Sequence, residues 1–400
     1  MVNPLDLFPK YLRVLAAAFL VTASFADGVA LTLGPPPWNL RPHVRYGLET
    51  LAEGYMTAHP SAVVHVTDGL ESFDAKTVGE ADLGDIMFIP GAQIGQASIL
   101  AVLAERGLIA DLSDKVQEAS FNKADFFPNI WPQVEIDGKT MAVPLLVRSW
   151  GMALDTSVGT SDELVDGVGD WESFVSMQSL LLDDLDGDGT ADRSQVHCGL
   201  SPYSIWLSLF LGAGGNPSDP ESFSPGSSAW THASAALKAF RASNPLFFHN
   251  KPLPTAVARR ESFVLRFVHD DDGGRTSYLG GGDTPPSHVL LPFPGASPIP
   301  ALDCTVIAIK ASTPEREQAA WEFVRWATSA PVLTELLPRF RMTPLRQSMI
   351  TEETDELTRF FASQIARMRF ESPRAVAHPA ATALHKQLHA EWSGTGETGN

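Results

Sequence analysis

Apolar residues in this chain fall into short runs that alternate with helical patterns. "VALTL" (Val29 to Leu33) reads as a short buried strand. A Pro-Pro-Pro-Trp loop follows, and then Val44, Leu48, Leu51 and Tyr55 recur at spacings of four, three and four, which places one apolar stripe on a helix. "SAVVHV" and "GDIMFIP" are the next two runs of strand type. Strand, helix, strand at this spacing is a βαβ unit, which predicts a parallel sheet and a right-handed connection. "ASILAVLAERGLIADLSD" predicts another helix, with Gly107 near its C-terminal stop.

Further on, "VEIDGKTMAVPLLVRSWGMALD" predicts a hairpin turning at Asp137 and Gly138, continued by a long strand that Pro144 breaks. A helix near "WESFVSMQSLLL" leads into an acidic loop. "SIWLSLFLGAGGN" and "SAALKAFRAS" are helical, a Pro-rich stretch surrounds Lys251, and "SHVLLPFPGASPIPALDCTVIAIKAS" carries two strands across a Pro/Gly-rich loop. From "EREQAAWEFVRWAT" onward the pattern is mainly helical, and no internal repeat is evident.

A chain of 400 residues exceeds one ordinary core, so two lobes are expected. Acidic side chains exceed basic ones by 18, which argues against nucleic acid or an anionic membrane surface as partner. No apolar run reaches the length of a membrane span. Lys10 and Arg13 precede "VLAAAFLV" (Val14 to Val21), the pattern of a signal peptide, with Ser24 and Ala26 as the small residues of a cleavage site and Asp27 as the mature start. No cysteine follows that run, so the expectation is an exported protein without a lipid anchor. Cys198 and Cys304 are the only cysteines, and one bridge is the most that can form.

The acidic loop carries the most explicit chemistry. Asp184, Asp186, Asp188 and Asp192 occupy positions 1, 3, 5 and 9 of a D-x-D-x-D-G pattern, with Gly189 at the sharp turn and Thr190 at position 7. Carboxylates at this density repel one another, and hard oxygen ligands suit Ca²⁺ better than zinc or copper. Position 12 is Gln195, which lacks the bidentate carboxylate of a sensor loop, so one structural Ca²⁺ is the expected occupant. His385 and His389 lie four apart on a predicted helix with no third ligand in view, and "HDDDGG" from His269 reads as a polar loop. "GKT" at Gly138 lacks the upstream glycine of a phosphate loop, and no nucleophile elbow or zinc-protease motif occurs.

Five segments, in their order and spacing, resemble the family 1 extracellular solute-binding proteins, the sugar-binding components of ABC importers, of maltodextrin-binding type. They are "DGKTMAVPLLV", "LGAGGN" after an aromatic helix, "LPFPG" ahead of a strand, "AAWEFVRWATSAPV" and "TPLRQS". The resemblance implies an α/β, two-lobed periplasmic-binding-protein fold with the ligand in a cleft between lobes joined by crossover strands. It places residues 27–145 and 256–310 in the N-terminal lobe, 146–255 and 311–390 in the C-terminal lobe, and 391–400 in a flexible tail. The crossings fall near Leu146 to Gly151, Lys251 to Arg260, and Lys310 to Thr313. By this topology Cys198 and Cys304 belong to different lobes and do not pair. The implied function is sugar binding by hinge closure and delivery to the transmembrane subunits of a permease, by a periplasmic monomer without enzyme activity. A phosphorylated or acidic sugar as ligand, and a secreted glycan hydrolase, remain the alternatives.

Open α/β sheets bind ligands beyond the carboxyl ends of their strands. That rule selects Trp38 and Asn39 after the first strand, and Pro90 and Gln93 after "DIMFI". The resemblance adds Arg148 on the crossover, Tyr203, Ser204 and Trp206 at the start of the helix before "GAGG", and Asp303 entering "CTVIAIK". Trp206 is expected to turn its face to the cleft, with Arg148 approaching from the hinge side.

Overall fold

The computed structural model describes residues 29–34, 42–67, 77–80, 83–90, 98–155, 169–177, 181–194, 196–197, 201–219, 221–244, 265–269, 288–294, 299–301, 304–340, 343–373 and 379–393. The chain begins with β1 (Ala30–Leu33), α1 (Pro42–Ala58), β2 (Val63–Val66), β3 (Ile86–Pro90) and α2 (Ile99–Glu105). A 3-10 segment, Pro128–Val134, precedes β4 (Glu135–Ile136), β5 (Lys139–Thr140), β6 (Val143–Val147) and β7 (Trp150–Asp155). Next come α3 (Trp171–Ser176), β8 (Leu182–Asp183), β9 (Arg193–Ser194), β10 (Val196–His197), α4 (Pro202–Gly212) and α5 (Ser228–Ser243). β11 (Leu265–His269), β12 (His288–Pro292), β13 (Ile299–Pro300) and β14 (Cys304–Ile309) follow. The last elements are α6 (Pro314–Ala327), α7 (Ala330–Phe340), α8 (Glu356–Arg367), β15 (Met368–Arg369) and α9 (Pro379–Ser393).

Two sheets organise these elements, one in the order β2-β1-β3-β14-β6 and one in the order β10-β11-β7-β12. In the first, β1 is parallel to both β2 and β3, as the βαβ spacing predicts. β14 runs antiparallel to β3 and β6, so the sheet is mixed and not wholly parallel. The reversed strand is the one that returns from the second sheet. Ile86 to Ile89 of β3 and all of β6 are buried, because both faces of the sheet are covered, and this is why they read as unbroken apolar runs. Pro144 lies inside β6 and does not break it. The pairing of β14 instead shifts between Thr305 and Val306, from Leu146 to Pro144, an irregularity that accommodates a residue with no N–H to donate.

The predicted stripe of α1 is the buried one: Leu48, Leu51 and Tyr55 face the core, and the Tyr55 ring meets Phe323 and Trp326 of α6 edge-on at 4.9 and 5.3 Å. Arg316, in the first turn of α6, forks onto both oxygens of Asp85, which also accepts from the backbone and hydroxyl of Thr32. That junction fastens α6 to β1 and β3.

The lobe boundaries expected from sequence need correction. β11 and β12 flank β7 in the second sheet, whereas residues 256–310 were expected wholly in the first lobe. Among the described strands of that stretch, only β14 joins the first sheet. α6 and α7 pack on α1, in the first lobe, while α8 packs on β7 and α9 on α4, in the second. The first crossing lies at Arg148 and Ser149, where expected. The return falls between Pro292 and Cys304, and the last crossing between Met349 and Asp355, in place of Lys310 to Thr313. Strand partners are chosen by contacts distant in sequence, which local patterning does not encode. Cys304 sits buried in the first sheet opposite Val147, and Cys198 and the stretch Lys251 to Arg260 lie outside the described residues.

Candidate functional site

The crossings come together side by side. Val147 at the end of β6 pairs with Cys304, and Ser149 Oγ donates to Phe361 O of α8 at 2.9 Å. Arg148 stands between Val147 and Ser149, both 0% exposed, and is itself half-buried, so its stem is held at the junction of the two sheets. β13 and β15 form a two-stranded parallel pair beside these crossings, and Ala301 N donates to Arg369 O at 3.1 Å.

The start of α4 contributes a second set of groups. Ser201 caps the helix, its Oγ accepting from Ser204 N at 3.1 Å, and Pro202 occupies the first turn, where its missing N–H costs nothing. Ser204 is half-buried, and its hydroxyl lies 2.8 Å from that of Ser201. Tyr203 is buried, stacked on Trp206 and edge-on to His385 of α9. Burial first, and then the Glu371 carboxylate, push the Tyr203 phenol up, so it is a neutral hydroxyl at physiological pH.

Sequence reasoning missed one polar cluster. Ser218 Oγ donates to Glu371 Oε2 at 2.6 Å, Arg369 Nε pairs with Glu371 Oε1 at 2.5 Å, and Arg369 also donates to Asn216 Oδ1. The cluster ties the turn after α4 to β15 at the return crossing. "GAGGN" was a visible signal for the turn, since Gly214 takes φ +82° and Gly215 lies against Phe210 too closely for a β-carbon. Glu371 had no signal of its own.

Trp206 is a correction. Its side chain is 0% exposed, stacked on Phe210 at 5.1 Å and edge-on to Phe223 and Trp230, with Nε1 donating to Ser234 Oγ at 3.1 Å. Both faces and the indole N–H are used inside the second lobe, so no face is presented to the cleft. Pro90 closes β3 opposite Thr305. Trp38, Asn39, Gln93 and Asp303 lie outside the described residues.

The acidic loop forms at the tip of the β8–β9 hairpin. Asp184 accepts from Gly187 N and Gly189 N, Asp186 from Asp188 N, Asp188 from Thr190 N, and Asp192 from Leu185 N. Carboxylate oxygens of Asp184, Asp186 and Asp188 lie within 4.8 Å of one another. The hydrogen bond from Gly189, more than any other cause, holds the Asp184 carboxyl below the ordinary range. These exposed oxygens fit a hard divalent cation. His385 is engaged with Tyr203, and the side chain of His389 lies outside the described residues.

Among the described residues no helix is long and apolar enough to cross a membrane. Comparison with solved structures finds the same two-lobed architecture in sugar-binding proteins. The GacH receptor of Streptomyces glaucescens, solved unliganded and with acarbose, is 16% identical at a TM-score of 0.62, over 92% of this chain and 95% of that one. The cyclic alpha-maltosyl-1,6-maltose binding protein of Arthrobacter globiformis is 13% identical at 0.63, over 92% and 95%. A cyclo/maltodextrin-binding protein complexed with maltotetraose is 11% identical at 0.68, over 93% and 94%. Comparison with the sequences of curated proteins returns no match. The family model for bacterial extracellular solute-binding proteins matches residues 79–360, and with so much of the length matched the chain belongs to that family.

Proposed function

We propose that this chain is the carbohydrate-binding component of an ABC importer. It takes a mono- or oligosaccharide into the cleft between its lobes, closes about the three crossings, and delivers the sugar to the transmembrane subunits of the permease. The observation that carries this reading is that the crossings run side by side, with α4 packed on β13 of the return crossing and the turn after α4 tied to β15 through Arg369 and Glu371. Neighbours of the same architecture hold acarbose and maltotetraose.

In this reading Arg148 donates to the ligand from the hinge, and Ser204 contributes a hydroxyl from the second lobe, while Tyr203, buried between Trp206 and His385, supports the helix start from inside. Trp38, Asn39, Pro90, Gln93 and Asp303 supply contacts from the first. Ligand contacts with both lobes favour the closed state, and moving the balance from 1:99 to 99:1 takes about 5.5 kcal/mol of differential binding. The protein is exported by the signal sequence ending near Ala26 to the periplasm, acts as a monomer, meets the membrane only through the permease, and performs no chemistry on its ligand. Asp184, Asp186, Asp188, Thr190 and Asp192 hold one structural Ca²⁺, which would fasten the hairpin tip. A thermal-shift screen against neutral, amino, acidic and phosphorylated sugars, followed by calorimetry, tests the proposal. A stabilising sugar recovered intact supports it. Cleavage of the sugar, or no shift with any of the classes, overturns it.

A further inference from the structure

The stretch from Phe361 to Arg369, which comprises the end of α8 and β15, is held from several sides. Ser149 Oγ, on the first crossing, donates to Phe361 O at 2.9 Å. β13, on the return crossing, pairs Ile299 with Met368 and Pro300 with Arg369, and Ala301 N donates to Arg369 O at 3.1 Å. From the first lobe, Asn129 Nδ2 donates to Ile365 O and to Met368 O, at 2.7 Å in each case, so both of its hydrogens are used. Ile365 O also accepts from Met368 N at the helix C-cap, and a carbonyl oxygen has lone pairs for both donors.

Asn129 can hold that stretch because its own segment is fixed. Trp131 packs against Phe121 and Phe126, and Phe121 against Trp321 of α6. Asp125 accepts from Ser348 N and Oγ at 2.8 and 2.9 Å and pairs with Arg346. The Arg346 guanidinium lies 4.3 Å over the Phe126 ring and donates to Thr328 O at the end of α6. One short segment of the first lobe therefore grips the chain twice. It does so at Arg346 to Ser348, where the chain leaves for the last crossing, and again at Ile365 and Met368, after α8 has lain on β7 of the second sheet.

We propose that Asn129 is the pin of the hinge, a positioning residue that holds β15, and through it the return crossing, against the first lobe while the lobes turn. The inference rests on the reading of this chain as a binding protein that closes about its crossings. Points beside a rotation axis move least, and a hydrogen bond weakens steeply once its distance and angle are lost. A short polar contact between two turning bodies therefore outlasts the turn only close to the axis. The carbonyls that Asn129 holds lie along the stretch between Phe361, bonded by the first crossing, and Arg369, bonded by the return crossing. Closure leaves the Asn129 bonds made, and their loss widens the range of lobe arrangements open to the free protein.

Hydrogen exchange read by mass spectrometry, with small-angle X-ray scattering, tests the pin on the full chain without ligand. Wild type is compared with Asn129→Ala and Asn129→Asp. The aspartate keeps the shape, removes both donors and sets a charge against two carbonyl oxygens. In both variants exchange should quicken about five- to tenfold, the scale of a lost hydrogen bond, at Ile365 to Arg369 and also at Ala301, whose own bond goes to Arg369. The radius of gyration should rise, and exchange in α1 should stay at its wild-type rate. Scattering that matches wild type overturns the proposal, as does quickened exchange confined to Ile365 and Met368 or spread through the first lobe. If neither variant folds, Asn129→Ser, which keeps one donor, is read in the same way. Failure of all three to fold overturns the pin, because the bonds would then serve the fold and not the hinge. The expected changes in a protein that binds no sugar would sink only the functional reading. Sugar binding with unchanged exchange and scattering would sink only the pin.

Discussion

Gly151 and Phe360 touch so closely that a β-carbon on Gly151 would lie 2.6 Å from the Phe360 ring. The bare backbone lets α8 lie flat on β7, one residue past the buried Trp150. Gly151→Ala should therefore displace the ring or the helix and cost about 1–3 kcal/mol, the usual scale of overpacking. Urea denaturation measures it. Adding Phe360→Ala should recover part of the loss, and a strictly additive double mutant would show that the two residues do not communicate.

Trp206 and Arg148 should separate stability from binding. Trp206→Ala opens a cavity among Phe210, Phe223 and Trp230, and should cost about 3–5 kcal/mol of stability. Arg148→Ala should stay folded and weaken sugar binding by about 2 kcal/mol, the scale of a hot spot. Calorimetry with the sugar found by screening, alongside circular dichroism, reads both effects. Wild-type affinity in Arg148→Ala would remove that residue from the site.

Calcium should raise the melting temperature modestly. Single extracellular sites have dissociation constants near 10⁻⁴ to 10⁻³ M, and ten times that concentration contributes about 1.4 kcal/mol. Asp186→Ala should abolish the rise in differential scanning calorimetry while leaving sugar affinity intact. Loss of sugar binding on chelation, in a folded protein, would give the loop a role in recognition.

Acid should loosen the junction of α6 with β1 and β3. Burial pushes the Asp85 carboxyl up, but the hydrogen bonds from Arg316 and Thr32 together outweigh it, and its pKa lies below the ordinary carboxylate range. A pKa depressed in the folded state gives stability that is complete above the unfolded value, about 3.9, and is lost as pH falls through the folded value. Asp85→Asn should be less stable than wild type at neutral pH, with the gap narrowing below about pH 4. Urea midpoints across that range check the sign. A gap that does not narrow would mean the fork contributes shape and no charge.

Features set by neighbouring residues were legible from the chain. The stripe of α1, the hairpin turn with Asp137 and Gly138 at φ 52° and 75°, and the helix stop at Gly107 with φ +65° all follow from local spacing and turn chemistry. The side to which Trp206 turns was legible too, but was misread. From Tyr203 to Leu211 every residue of α4 except Ser204 is buried, and a helix apolar on all sides belongs inside. The assignment of β11 and β12 to the second sheet was not legible, since a strand's pattern names its burial and not its partner. Nor was the Arg369–Asn216 contact, whose members stand 153 positions apart.

β14 reaches the first sheet only after every strand of the second sheet has been laid down. During synthesis the ribosome thus delivers β7, β10, β11 and β12 while β3 and β6 still wait, each with a bare edge, for the strand that separates them. The second sheet can close first, although the first begins nearer the N-terminus. A chain cut at residue 300 would keep all four strands of one sheet and leave the other as two pieces, β2-β1-β3 and a lone β6.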